Sequence, residues 1–270
     1  MNVSRRLWVG LGVLLLLSFA VLLWVGGEIH RVMPPVPAAV VTENGQTIYT
    51  RADIQKGRQV WQSIGGQQLG SIWGHGGYVA PDWTADWLHR EAVAWLDIDA
   101  QRETSQRYSQ LPEDTQAAFA ARLQTRIRKN TYDASTDTVT IPEDRALAIT
   151  QVAAHYESLF SNDPQTLELR KAYAMKDNTV LSAENRTAMT AFFWWSAWSA
   201  VTERPGKEIT YTNNWPHDTL VGNEPPGHLF MWTVFSVLFL IAGIALLGWY
   251  HARHKDEAPP ELPATDPLGL

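Results

Sequence analysis

The sequence predicts a mainly α membrane protein in which two transmembrane helices flank one helical domain with a small β-hairpin. Three observations predict it. Residues 7–27 and 229–250 are apolar runs without a single charged side chain. A helix rising about 1.5 Å per residue crosses a hydrocarbon core of about 30 Å in roughly twenty residues, so each run is long enough. Tryptophans bracket both runs, Trp8 and Trp24 on the first and Trp232 and Trp249 on the second. Amphipathic rings collect at the headgroup level in this way. Between the runs, apolar residues recur at helical spacing behind recognisable helix-starting residues.

A cleaved signal peptide competes for the first run and a buried soluble helix for the second. A signal peptide has a shorter apolar region and ends at a small-residue cleavage site, whereas Gly27 leads into Glu28, Ile29 and His30. Arg5 and Arg6 precede the first run, and His251, Arg253, His254 and Lys255 follow the second. Positive charge outside both runs predicts both termini in the cytoplasm of a bacterial inner membrane, with the middle of the chain in the periplasm. The expected division is a cytoplasmic N-terminus at 1–6, spans at 7–27 and 228–250, a periplasmic domain at 28–227, and a cytoplasmic linker or tail at 251–270.

Composition narrows the function. Of 270 residues, 45% are hydrophobic and 19% charged, which excludes intrinsic disorder. A net charge of −6 argues against nucleic acid, because phosphate binding needs a basic surface. There is no cysteine. Disulfides, thiolate zinc, iron–sulfur clusters, a cysteine nucleophile and covalent c-type haem are excluded together.

Along the middle region, a Pro-rich stalk (Met33, Pro34, Pro35, Pro37) leads to a turn at Asn44-Gly45. Asp53 reads as the N-cap of a helix through Val60 and Trp61. Pro81-Asp82 opens a second helix, with Trp83, Trp87 and Ala94 at helical spacing. A third runs from Pro112 to Lys129, with acids in its first turn and bases in its last, matching the helix dipole. Residues 131–141 read as the hairpin, and 142–160 as another helix. Pro164 starts the next, and Ser182 caps a long one ending before Pro205-Gly206. The last residues, 258–270, read as a linker or loose tail.

Searches for chemistry mostly return structural readings. Gly74-His75-Gly76-Gly77-Tyr78-Val79 starts like a dinucleotide loop, but Val79 stands where the third glycine belongs. His75 and His89 read as hydrogen-bonded structural histidines rather than metal ligands. The carboxylate pairs Glu91/Asp97 and Asp82/Asp86 read as helix-surface groups and caps. His251, His254, Asp256 and Glu257 read as a solvated interfacial cluster.

One segment stands apart. GHGGYVAPDWTADWLHREA, from Gly74 to Ala92, and EITYTNNWPHDTLVGNEP, from Glu208 to Pro225, resemble the N-terminal region of quinol-dependent nitric oxide reductases. These are relatives of the haem–copper oxidases that act in denitrification and use non-haem iron. The resemblance covers essentially the whole chain and implies a cytochrome c-like fold for the periplasmic domain.

In the related cytochrome c-dependent enzymes a C-x-x-C-H haem site precedes a similar glycine loop. Aligned on Trp61 and the loop, the haem cysteines fall on Gly66 and Leu69 and the axial histidine on Gly70. The resemblance therefore implies a cytochrome c fold without its haem, with electrons supplied by quinol. It also implies that Gly74, His75, Gly76, Gly77 and Tyr78 form a partner-contact loop. Gly76 and Tyr78 would lend oxygen ligands to a calcium ion shared with the catalytic core. No catalytic residue is expected in this chain, which is predicted to be inactive alone.

Haem b, haem b3, non-haem iron and the quinol pocket would belong to a polytopic haem-binding partner chain. The expected role is a non-catalytic N-terminal part, or a separate small subunit, capping the core that converts two NO to N2O and water. The same part of an NO dismutase is the alternative within the family. A freestanding membrane-anchored binding or assembly module is the alternative from another class.

Overall fold

A computed structural model describes residues 3–255. They divide into two compact units that meet in sequence at Pro225 and Pro226. The first unit opens with helix α1 (Val3–Val32) and then the strands β1 (Ala39–Thr42) and β2 (Thr47–Thr50). Helix α2 (Arg51–Ser63), the single turn α3 (Gly66–Leu69), and the two-residue strands β3 (Ser71–Ile72) and β4 (His75–Gly76) follow. Next come α4 (Trp83–Thr104), α5 (Glu113–Arg128), β5 (Tyr132–Asp133), β6 (Thr138–Ile141), α6 (Glu143–Leu159), α7 (Leu167–Ala172) and α8 (Ala183–Val201). Helix α9 (Gly227–His254) belongs to the second unit.

Most helices start where the residues say. Asp82 caps α4 by accepting from the amides of Thr84 and Ala85 at 2.9 and 3.1 Å. Ser182 accepts from the Asn185 amide at the start of α8. The start of α2 differs from expectation. Its cap is Thr50, whose Oγ1 accepts from the Asp53 amide at 3.2 Å while the Asp53 carboxylate accepts from the Thr50 amide at 2.8 Å. Asp53 is thus the return partner of a capping box, three residues inside the end it was expected to mark. Pro164 opens only a short 3₁₀ turn, capped by Asp163, before α7.

The predicted hairpin is present as β5 and β6, but it is half of a larger sheet. β6 also pairs in parallel with β1, and β1 pairs antiparallel with β2, giving the order β2-β1-β6-β5. The β1–β6 pairing joins residues about a hundred positions apart, and local spacing carries no signal for it.

The core is aromatic and centres on α8. From Ala188 to Val201 every residue of this helix is buried, with α2, α4 and α6 packed against it. Trp83, Trp87, Trp95, Trp194, Trp198, Tyr156, Phe160 and Phe193 are fully buried. Trp83 stacks on Phe193 with centroids 5.8 Å apart, and Trp87 stacks on Tyr156 at 5.1 Å. Burying one such side chain contributes about 1.5–3 kcal/mol, so this cluster supplies much of the domain's hydrophobic stabilisation. The stripe on α4 contains two carboxylates, Glu91 and Asp99, the second accepting from Arg126 Nη1 at 2.6 Å. Glu91 is fully buried and accepts from Trp87 Nε1 at 2.8 Å and from buried Arg145 Nε at 2.7 Å.

The two apolar helices are different. Each is long and apolar enough to cross a membrane, over Trp8–Val32 and Gly227–His254, and neither buries its apolar stretch within the protein. Apolar side chains exposed over such lengths mark a membrane anchor. Both helices outrun the apolar stretches by about a turn. In α1 the extra turn carries an ion pair between Glu28 and Arg31 at 2.8 Å. In α9 it carries Tyr250 stacked on His254, with ring centroids 4.2 Å apart, and Arg253 over Trp249. The start of the expected tail, 251–254, is the last turn of α9, and Asp256, Glu257 and the remainder lie outside the described residues.

Candidate functional site

The glycine segment runs from the end of α2 to the start of α4. Gly65 takes a left-handed conformation that breaks the chain out of α2 and into α3. A side chain at buried Gly66 would place its Cβ 2.1 Å from the indole of Trp61. At Gly70 the Cβ would lie 2.5 Å from Trp83 Nε1 and equally close to the Pro81 carbonyl oxygen. Leu69, between them, packs partly buried against the core. Trp61 and Trp83 meet edge to face at 6.2 Å, and both rings contact Phe193. Two of the three positions aligned with a haem-attachment site, Gly66 and Gly70, therefore lie against indoles.

Beyond Gly70 the chain turns outward as the β3–β4 hairpin. One carboxylate anchors it. Asp82 Oδ2 accepts from Ser71 Oγ and from the Gly74 amide, each at 2.7 Å, while its Oδ1 caps α4. Gly76 is required by close approach, since its Cβ would fall 2.3 Å from the Gly70 carbonyl oxygen. The domain's own packing requires glycine at Gly66, Gly70 and Gly76. What the loop presents outward is Gly74, His75, Gly76, Tyr78 and Val79, with Gly77 half-buried behind them. Tyr78 is 90% exposed.

The second matched segment, 208–225, lies beside this loop. Gly74 faces the Trp215 ring, with the position of a Cβ 3.4 Å away. Arg128 gathers the segment, donating to Asn223 Oδ1 at 2.8 Å, the Gly222 carbonyl at 3.1 Å and Asn214 Oδ1 at 3.2 Å. Trp73 Nε1 donates to the Ser196 carbonyl and its ring meets Trp195. Trp195 Nε1 in turn donates to the Pro35 carbonyl at 2.9 Å. A chain of direct contacts thus links the loop to the stalk that descends from α1.

The other sequence candidates are dispersed. His75 Nδ1 lies 2.8 Å from the Trp73 carbonyl oxygen, and His89 Nδ1 lies 3.0 Å from Asp218. Glu91 is paired in the core, while Asp97 accepts from the Tyr108 amide. Asp82 is a cap, and Asp86 accepts from Arg90 Nε at 2.8 Å and the Tyr156 hydroxyl at 2.6 Å. Among the described residues no cluster of three His, Asp or Glu suits a metal ion. Gly76 and Tyr78 amount to backbone and one phenol, and Asp82, the carboxylate bonded to the loop, is committed to donors of this chain. They do not form a calcium cage by themselves, since that ion takes six to eight oxygens.

Two groups gave no sequence signal. His155 lines a groove between α4 and α6, its Nε2 buried without a partner, and burial lowers its pKa, with nearby Arg90 acting in the same direction. Arg204, just beyond α8, is half-buried, and desolvation lowers its pKa. Both are single residues, visible only once their surroundings are known.

Fold and site together define a class: a membrane-anchored, mainly helical domain with an aromatic core and an exposed loop linked to its membrane stalk. Residues 37–217 match the family of NorB cytochrome c-like domains, a domain of nitric oxide reductase. That is well over half of the chain, and the chain belongs to this family. The match takes in the whole glycine segment and reaches His217 in the second one. No individual curated protein matches the sequence.

Proposed function

We propose that this chain is the haem-less, non-catalytic periplasmic part of a quinol-dependent nitric oxide reductase, anchored in the inner membrane with both termini in the cytoplasm. The observation that carries the reading is the indole wall behind Gly66 and Gly70. A cysteine at Gly66 overlaps Trp61 and a histidine at Gly70 overlaps Trp83, so packing as well as composition opposes a c-type haem here. The residues present do not fit that cofactor. A domain that cannot relay electrons from a soluble donor suits an enzyme fed by membrane quinol.

In this reading the exposed face of the loop, His75 to Val79, docks on a polytopic partner. That chain holds haem b, haem b3, non-haem iron and the quinol site, and converts two NO to N2O and water. The contribution of this domain is to cap the core and exclude water from it. Any calcium at Gly76 and Tyr78 would take its remaining oxygens from the partner. The ion pairs of Asp86 and Glu91, the cap at Asp82 and the hydrogen bond from the Tyr108 amide to Asp97 support a structural role for these carboxylates.

The test is to tag the chain, extract it from native membranes in mild detergent, and record the visible spectrum with the masses of its partners. Haem b arriving with a large polytopic chain is the expected result. A colourless chain arriving alone overturns the docking role and favours a freestanding membrane-anchored module.

A further inference from the structure

At the foot of α1 the first unit contains a cavity of about 480 Å³. Its lining includes Arg31, Arg204 and Lys207 but no carboxylate, alongside Val32, Met33 and Tyr132. Arg31 is held by Glu28 one turn earlier in α1. Arg204 is different. Its Nη2 donates to the Tyr211 carbonyl at 2.7 Å and to Asn213 Oδ1 at 3.2 Å. Its Nε is buried with no hydrogen-bond partner, and Glu28, whose charge acts on it, is already paired with Arg31. A half-buried guanidinium left short of acceptors is costly unless an anion completes it.

We propose that this cavity binds the phosphodiester headgroup of an anionic phospholipid, with Arg204 as its principal donor and Lys207 assisting. Location selects the source. The cavity opens at the end of α1, about one turn beyond the uncharged run that stops at Gly27, which is headgroup depth for a helix that spans the bilayer. Its mixed lining suits an amphiphile: cations for the phosphate, and Val32 and Met33 for the glycerol and first methylenes. Arg suits such a group because it stays charged; with Nη2 committed to Tyr211 and Asn213, its Nη1 is the group left to donate to a phosphate oxygen. The inference rests on membrane anchoring through α1 and is independent of the reductase reading.

The full chain is reconstituted in nanodiscs of phosphatidylcholine, alone or with phosphatidylglycerol, then released and examined by native mass spectrometry. Near-ultraviolet circular dichroism checks each variant's folding. The expected result is one phosphatidylglycerol retained per chain where phosphatidylcholine is stripped. Retention should fall roughly tenfold in Arg204→Gln, the loss of about one charge-assisted hydrogen bond, and recover in part in Arg204→Lys. Arg102→Gln, which removes a cation paired with Asp144 elsewhere on the domain, should leave retention unchanged. Equal retention in Arg204→Gln, or an equal loss in Arg102→Gln, overturns the proposal. Inorganic phosphate in lipid-free detergent displacing the retained lipid at low concentration would make this a soluble-anion site. Retention of a partner polypeptide through Arg204 with no lipid would make it a protein contact. Either outcome also overturns the lipid assignment.

Discussion

The two halves of the glycine segment have similar composition and opposite surroundings. Gly66 and Gly70 press against Trp61 and Trp83 in the interior, while His75, Gly76, Tyr78 and Val79 face outward. On the inner half, glycine is what lets backbone approach an indole. On the outer half, Gly76 and Gly77 are held close to backbone carbonyls rather than to indoles, and the side chains of Tyr78 and Val79 are exposed. Glycine content therefore does not mark a binding surface, and the proposed docking face rests instead on the exposed Tyr78 beside Val79.

The comparison breaks or sharpens at four places, taken from the largest expected effect down. Glu91→Ala strands buried Arg145 on the inner side, and breaking such a pair costs about 3–5 kcal/mol. Denaturant titration of the domain should show it, with Glu91→Gln milder because it still accepts from Trp87.

Gly66→Cys comes next, at about 3 kcal/mol or somewhat less, the upper part of the range for overpacking. Combining it with Trp61→Ala should cost at least about 1 kcal/mol less than the sum of the two single changes. Strict additivity would mean that the indole is not what excludes a side chain at position 66.

The third is a pH effect. Burial lowers the pKa of His155 from its ordinary 6.5, so the unfolded chain takes up the proton first. Its contribution to stability is complete above pH 6.5 and is lost as the pH falls below that value toward its folded pKa. Asp86 opposes the shift, and desolvation and Arg90 outweigh it. Melting temperatures measured across this range should fall less steeply in His155→Gln than in the unaltered chain.

Tyr78→Ala is the smallest in stability, within about 0.5 kcal/mol for a side chain so exposed. Its effect should appear instead as reduced co-purification of the haem-bearing partner. A change in melting temperature with co-purification intact would reverse the roles assigned to the two halves.

Much of the helical frame was legible in the residues. The caps at Asp82 and Ser182, the end charges of α5, and both apolar spans follow from interactions within a turn or two. The capping box at Thr50 was also local, but Asp53 alone resembled the more familiar signal. The β1–β6 pairing was not legible, because two short Val-containing runs in distant parts of the chain carry no mark of each other. Helices α8 and α9 illustrate the limit well. Both are apolar on all sides, yet α8 is sheathed by α2, α4 and α6, while α9 buries no residue. Hydroxyls bonded to carbonyls one turn back do not separate them, since Thr190, Ser196 and Ser199 in α8 and Thr233 in α9 all make such bonds.

By itself, then, the sequence determined the helices, the two membrane-crossing stretches, and the exclusion of a thioether-linked haem in a chain without cysteine. Those properties depend on composition and on spacings of a few residues. Tertiary structure alone decided that indoles close the space behind Gly66 and Gly70, that Glu91 meets Arg145 across the core, and that Arg204 is left short of acceptors. Each of these depends on which distant surfaces are pressed together and which donors are thereby cut off from water. Burial and partnership are properties of the packed chain, and no local pattern encodes them.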